Sequence, residues 1–295
     1  MLSIYYMIIE YKGEYGSEIG CFIPYIHYLC DKGFFKKHNL KVKTYYGMKP
    51  YYFFLDDDEI EFKMEMRLWI DNRFRTFLPD HLMNEDLIFS NMKSLPKMMD
   101  PPNYTKQYGS IKLPYSKPIF IIQNKYTNEW CGPPRNYFDT LMLDNILDFI
   151  TKLFTVIYIR SDDIKVPEYS YEENERFLFK FDDKAMITQK YPDVILFENL
   201  LKEYPNYDFN TLKCIIHSNA LFTLSTIAGY NSFDAYFPSK HYIYKVNAPE
   251  IYSKEYYQNM HNMLCPNHRE IYFTSNKDEL IEALKKDVAS LIDKN

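Results

Sequence analysis

The residues from 221 to 234 combine an apolar stretch with small, hydroxylated residues in an order typical of a strand that runs into a phosphate-binding turn. The apolar stretch Leu221–Leu224 predicts a buried strand. The turn residues expected to contact a phosphate are Ser225, Thr226, Gly229, Asn231 and Ser232. Backbone amides, hydroxyl groups and the dipole of a following helix all favour an anion at such a turn. The alternative is an ordinary strand-to-helix turn in which Asn231 or Ser232 caps the helix.

A second set of residues that could take part in binding or catalysis lies in the loop Gly13–Gly20, which follows the first apolar stretch of the chain. Gly13 and Gly16 would let a backbone approach closely, and Glu14 or Glu18 could accept a proton from a hydroxyl group. The glycine spacing is not that of a dinucleotide-binding loop, and carboxylates are unfavourable beside a pyrophosphate. The alternative is that Glu18 complements a helix dipole and that Glu14 is solvated.

Polar residues also follow two further predicted strands. Asn124 and Lys125 come after the stretch Ile119–Ile122, and Arg160 ends the stretch Thr155–Ile159. Amide, ammonium and guanidinium donors at strand ends suit a diphosphate. Two alternatives remain open, namely that the first loop is merely solvated and that Arg160 pairs with Asp162 or Asp163.

The elements that must position these residues alternate between strands and helices. The N-terminal part reads as a strand (Ile4–Ile9), a helix that Gly33 ends, and a second strand (Leu40–Tyr46). Proline-containing residues Met99–Pro118 are the predicted interdomain linker. After it, the expected elements are strands at Ile119–Ile122, Thr155–Ile159, Val194–Phe197, Leu221–Leu224 and Tyr242–Tyr244, a helix at Tyr137–Leu153, and a closing helix at Lys277–Ile292. This alternation predicts an α/β fold with two doubly wound, Rossmann-like domains, residues 1–110 and 111–295, that face a cleft.

The order of a strand, Ser225-Thr226-x-x-Gly229-x-Asn231-Ser232, a helix and a short strand resembles the nucleotide-sugar segment of GT-B glycosyltransferases, especially the fucosyltransferase-like and capsular-polysaccharide types. The loop Gly13–Gly20 is similar to the glycine-rich acidic loop of their acceptor-side domain. Tyr230 departs from the pattern, because a second small residue often stands beside the glycine in that family.

The resemblance implies a metal-independent glycosyltransferase with no separate cofactor, which moves a sugar from a nucleoside-diphosphate sugar to the hydroxyl of a glycan or small-molecule acceptor. It implies Glu14 as general base, with Glu18 second, while Lys125, Arg160 and the amides around Gly229 stabilise the departing diphosphate. A catalytically inactive sugar- or protein-binding module is the alternative. A nicotinamide-dependent Rossmann enzyme is disfavoured by the glycine spacing.

Composition narrows the class of protein further. The net charge of -5 disfavours nucleic acid as a partner, and five scattered cysteines without metal-ligand spacing favour a reduced, cytoplasmic setting. No stretch approaches the apolar length of a membrane span.

Asp56-Asp57-Asp58 matches a D-x-D metal motif, but acidic runs are usually solvated, so we predict no metal site. The high share of Tyr, Phe, Ile, Lys and Asn is typical of AT-rich genomes, among them those of large DNA viruses. The oligomeric state is left open.

Overall fold

The computed structural model describes residues 7–13, 15–65, 98–126, 133–160, 164, 180–246, 253–268 and 270–292. Within them the chain forms two sheets of parallel strands, one with three strands and one with six, with helices packed against them. The prediction of an α/β fold with parallel sheets is confirmed, and the topology is compatible with Rossmann-like folds.

The smaller sheet is built from the first 65 residues. Its strands are β1 (Met7–Glu10), β2 (Leu40–Tyr45) and β3 (Ile60–Lys63), in the order β1-β2-β3. The helical segments that follow β1 and β2 are α1 (Tyr15–Ser17), a π-helix (Glu18–Phe22), α2 (Ile23–Asp31), α3 (Phe34–His38) and a 3-10 helix (Lys49–Tyr52). Gly33 ends α2 at φ 73°, a left-handed conformation that glycine adopts without strain.

The larger sheet contains β4 (Ile119–Asn124), β5 (Thr155–Arg160), β6 (Ile195–Leu196), β7 (Ala220–Thr226), β8 (Lys240–Tyr244) and β9 (Tyr272–Thr274). Its strand order is β6-β5-β4-β7-β8-β9. Counted from β4, this is the order 3-2-1-4-5-6 of doubly wound nucleotide-binding sheets. Every residue of β4 is buried, as expected for a central strand covered by helices on both faces.

Helices connect these strands. They are α4 (Tyr104–Tyr108), α5 (Thr140–Ile150), α6 (Asp183–Lys190), α7 (Phe197–Glu203), α8 (Phe209–Asn219), α9 (Tyr230–Asp234), α10 (Lys254–Leu264) and α11 (Lys277–Ile292). Side-chain oxygens of Asp139, Asp208 and Ser253 accept backbone hydrogen bonds at the starts of α5, α8 and α10.

A single hydrophobic cluster joins the two sheets. It contains residues of β2 such as Val42, residues of β4 such as Ile121, and Tyr104 of α4. Residues Met99–Pro118, predicted as an interdomain linker, therefore supply part of the core, because Tyr104 is fully buried and its hydroxyl donates to the backbone of Tyr51 at 3.0 Å. The domain boundary near residue 110 stays a prediction.

Candidate functional site

The candidate site lies at the carboxyl ends of β4 and β7, where the chain order of the larger sheet reverses. From β4 the chain continues to β5 on one side, whereas β7 continues to β8 on the other. Connecting loops diverge at such a switch point and leave a crevice beyond the strand ends. The predicted phosphate turn, residues 225–232, and the predicted donors Asn124 and Lys125 both lie at this edge.

A loop of the smaller sheet closes onto this turn. A Cβ atom built on Gly16 would lie 3.1 Å from the Cα atom of Gly229, and one built on Gly229 would lie 3.4 Å from the backbone nitrogen of Gly16. The two predicted glycine loops are thus brought together, backbone against backbone. Gly229 nevertheless remains exposed, and Gly16 is half-buried.

The other predicted turn residues mostly bond to one another. The Asn231 amide donates to Ser225 Oγ at 2.8 Å, and Asn231 Oδ1 accepts from the backbone nitrogen of Ala228 at 2.6 Å. Thr226 Oγ1 contacts the hydroxyl of Tyr230, so the bulky residue beside Gly229 turns inward. These side chains shape the turn. Of the five predicted residues, only Gly229 and half-buried Ser232 reach its surface.

Asn124 and Arg160 likewise form hydrogen bonds with neighbouring groups of the protein. Asn124 donates to the backbone oxygen of Phe138 at 3.1 Å and accepts from the nitrogen of Phe138 at 2.9 Å. Arg160 Nη1 donates to Asp183 Oδ1 at 2.8 Å, and both side chains are buried. Asp183, at the start of α6, was not predicted, because nothing in its sequence context marks it as a partner of Arg160. The two partners that were considered for Arg160, Asp162 and Asp163, lie outside the described residues. Lys125 is half-buried at the strand end.

Glu18 lies in a fully buried position within the π-helix. One of its carboxylate oxygens accepts hydrogen bonds from the hydroxyl of Thr44 and, at 2.7 Å, from the hydroxyl of Tyr52. Such contacts fix the loop to β2 and the 3-10 helix rather than leaving the carboxylate open to a substrate. Gly13, at the start of the loop, is buried, and Glu14 lies outside the described residues.

Beneath the turn lies a buried polar cluster that the sequence did not reveal. Asp234 in α9 accepts from Gln123 Nε2 at 2.7 Å and lies 3.1 Å from His217 Nε2 and 3.3 Å from His241 Nε2. Burial alone would raise the pKa of Asp234, but hydrogen bonds from the two histidines hold that pKa well below its usual range. Asp234 is therefore a buried, ionised carboxylate.

His241 links this cluster to the predicted turn. Its Nε2 lies 2.7 Å from Ser225 Oγ, and its Nδ1 lies 3.0 Å from His261 Nε2. Burial lowers the pKa of His217 and, more strongly, that of His261, so both imidazoles stay neutral near pH 7. All members of the cluster are buried, so the Ser225 hydroxyl does not reach the solvent.

A group of three aromatic side chains, Tyr126, Tyr137 and Phe181, lies near the carboxyl ends of β4 and β5. Tyr126 stacks on Phe181 with ring centroids 4.4 Å apart, and it meets Tyr137 edge-on at 4.7 Å. The Arg160 guanidinium lies 5.5 Å from the Phe181 ring centroid. Half-buried planar side chains of this kind can stack on a planar ligand group.

The described ranges contain no group of three acidic, histidine or cysteine side chains able to hold a metal ion. Asp57 of the D-x-D match is almost wholly exposed and pairs with Lys49 at 2.8 Å. None of the helices within those ranges has the length and apolar character needed to cross a membrane.

Comparison of the chain with family models, curated proteins and solved structures finds no match. Fold and site together define an α/β protein with parallel sheets, whose larger sheet has a nucleotide-binding type of strand order. Any assignment beyond that class rests on the geometry of the switch point.

Proposed function

We propose that the protein is a glycosyltransferase that binds a nucleoside-diphosphate sugar at the switch point of the larger sheet. The observation that carries the proposal is the contact of Gly16 with Gly229. It joins a loop of the smaller sheet to the edge where Rossmann-like sheets bind nucleotides. Sugar transfer needs such an arrangement, because the acceptor hydroxyl must be held beside the anomeric carbon of the donor.

The proposed roles follow from accessibility. Exposed Gly229, with Ser232 and Lys125, would lie against the donor diphosphate, and the aromatic group around Tyr126 would lie beside its base. Glu14 remains the proposed general base. Glu18 would support the loop through Thr44 and Tyr52, since a buried carboxylate with two hydroxyl donors is poorly placed to take a substrate proton.

A screen of nucleotide sugars tests this proposal. Stabilisation in a thermal-shift assay should single out one or a few donors, because a ligand that binds only the folded state raises the melting temperature. Calorimetry should then show weaker binding for Lys125→Ala than for the wild type. Lys190→Met serves as the control, since Lys190 pairs with Asp144 on the exposed surface. The proposal fails if no nucleoside diphosphate or sugar conjugate binds the wild type.

One observation favours a second candidate, a sugar- or protein-binding module without turnover. Ser225, Asn231, Asn124 and Arg160 already bond within the protein, which leaves few side chains for chemistry. Donor hydrolysis or transfer that disappears in Glu14→Gln while binding persists would support the enzyme. Binding without turnover in the wild type would support the module.

A further inference from the structure

Lys213 is a cation in the core of the protein. It lies on α8, its side chain is fully buried, and its ammonium lies 4.7 Å from the ring centroid of Phe233 and 5.2 Å from that of Tyr15. The hydrogen bond that the ammonium makes to the hydroxyl of Tyr15 is long, at 3.4 Å. A fully buried lysine is rare unless it is paired with an anion.

No carboxylate in the described ranges forms an ion pair with Lys213. Asp234 acts on it electrostatically, but the oxygens of Asp234 face Gln123, His217 and His241 instead. Burial lowers the pKa of Lys213 to about 8, although Asp234 opposes that shift. Within the described ranges, the Lys213 ammonium therefore carries its charge at neutral pH beside two aromatic rings and one hydroxyl group, without an ion pair.

Hydrogen bonds hold this charge close to the candidate site. The Tyr15 hydroxyl donates to that of Tyr51 at 2.8 Å, and the Tyr51 hydroxyl donates to Asn210 Oδ1 at 2.7 Å. Asn210 and Lys213 both belong to α8, so the chain of hydrogen bonds from Lys213 through Tyr15 and Tyr51 returns to the same helix. A Cβ atom built on Gly229 would lie 4.0 Å from Tyr15 Cδ1. The Tyr15 side chain thus lies close both to the Lys213 ammonium and to the backbone of Gly229.

We propose that Lys213 is the buried counter-charge for an anionic ligand group at the Gly229 surface, and that binding of the anion draws a proton onto Lys213. The proposal rests on the proposed function and names the residue that supplies its electrostatic attraction. Lys213 would act through the Tyr15 ring, because a charge in a low-dielectric core is weakly screened. Near pH 8 part of the Lys213 population is a neutral amine, and a proton from the solvent converts that part to ammonium.

Other titratable groups face Lys213 from the elements packed around it. They are Tyr15 of α1, Cys214 and His217 of α8, and Asp234 of α9; Tyr51 of the 3-10 helix contacts Tyr15, and Tyr104 of α4 contacts Tyr51. Burial raises the pKa of Tyr51, Tyr104 and Cys214 well above their ordinary values and lowers that of His217. None of these four changes charge near pH 8, whereas the pKa of Lys213 lies at about 8.

Calorimetry at pH 8 with ADP, GDP and UDP tests the proposal, using buffers of low and high protonation enthalpy. The wild type should take up a fraction of a proton, up to about one half, because a bound anion raises a pKa that lies near the working pH. Lys213→Met should bind roughly tenfold more weakly and show no such uptake, since the attracting charge is gone. Lys213→Arg should retain affinity without uptake, because an arginine does not release its proton. Lys190→Met is the surface-charge control, and circular dichroism establishes that each variant is folded.

The outcomes separate the two proposals. If the wild type binds a diphosphate but Lys213→Met binds it with equal affinity and equal proton uptake, the role of Lys213 is overturned and the proposed function stands. Absence of proton uptake in the wild type overturns it as well. If the wild type binds none of the three diphosphates and no nucleotide sugar, both proposals fall. Should Lys213→Met fail to fold, the buffer comparison in the wild type alone still decides the proton uptake.

Discussion

Lys213 and Asp234 are opposite charges held in the same core without an ion pair between them. Asp234 is stabilised by three polar side chains, whereas Lys213 has one long hydrogen bond and two aromatic rings. The two residues therefore contribute differently to stability. Asp234 is matched to its surroundings, while the charge on Lys213 opposes folding.

Replacing Lys213 with methionine is expected to stabilise the protein at pH 7. The pKa of Lys213 is about 8 in the folded protein and 10.5 in the unfolded chain, so the unfolded state binds more protons between these values. The free energy of unfolding of the wild type should consequently rise as the pH increases from about 8 to 10.5. Lys213→Met should lack this rise and gain at most about 3 kcal/mol at pH 7. Urea denaturation at pH 7 and 9.5 measures both, and a less stable methionine variant at pH 7 would contradict the account.

The buried histidines make the free energy of unfolding depend on pH in the same direction, but at acid pH. The folded-state pKa values of His217 and His261 lie below 6.5, so the neutral forms stabilise the fold above that pH and this contribution is lost as the pH falls below it. We expect the free energy of unfolding to fall between pH 6.5 and 5, and His261→Asn to make that fall shallower. His38→Asn is the matched control, since His38 is exposed on α3. Equal slopes for His261→Asn and the wild type would argue against this assignment.

At the scale of elements, the loops after β1 and β7 depend on glycine for their contact. The Cβ of an alanine at position 16 would meet the Gly229 backbone at 3.1 Å, which is tighter than ordinary contacts, whereas at position 229 the nearest atom lies at 3.4 Å. Backbone atoms cannot give way as a flexible side chain can.

Gly16→Ala should therefore destabilise the protein by about 1–3 kcal/mol, the usual cost of overpacking, and weaken nucleotide binding. Gly229→Ala should cost less stability, which makes the two substitutions a matched pair. Thermal denaturation and calorimetry of both variants measure the effect. A larger loss of stability in Gly229→Ala would show that the loops meet differently.

The sequence predicted the elements best where periodicity and end signals agree. The closing helix Lys277–Ile292 is confirmed with both ends, and Asn276 Oδ1 accepts from the backbone nitrogen of Asp278 at 2.9 Å. The predicted strand Val194–Phe197 shrinks to Ile195–Leu196, because Phe197 begins a helix that buries its ring. A short apolar stretch does not by itself say where a strand ends and a helix starts.

At the scale of the whole molecule, alternation along the chain predicted the parallel sheets but not their shared core. No local sequence pattern marks Tyr104 or Tyr51 as core residues, yet both are fully buried in the hydrophobic cluster that joins the two sheets. The site was predicted in outline only. Glycine and strand-end rules placed Gly16, Gly229 and Lys125 at one edge, whereas the pairing of Arg160 with Asp183 depends on tertiary contacts that no local pattern encodes.

Hydrogen exchange with and without the best-binding nucleotide sugar tests the central claim most directly. A ligand at the switch point should slow amide exchange in peptides that cover residues 15–22 and 225–232, because it would lie against both glycine loops. Peptides from α11, which packs against α5, β8 and β9, should exchange at unchanged rates. Protection of both glycine loops is the result we predict. Protection confined to other peptides would contradict the account.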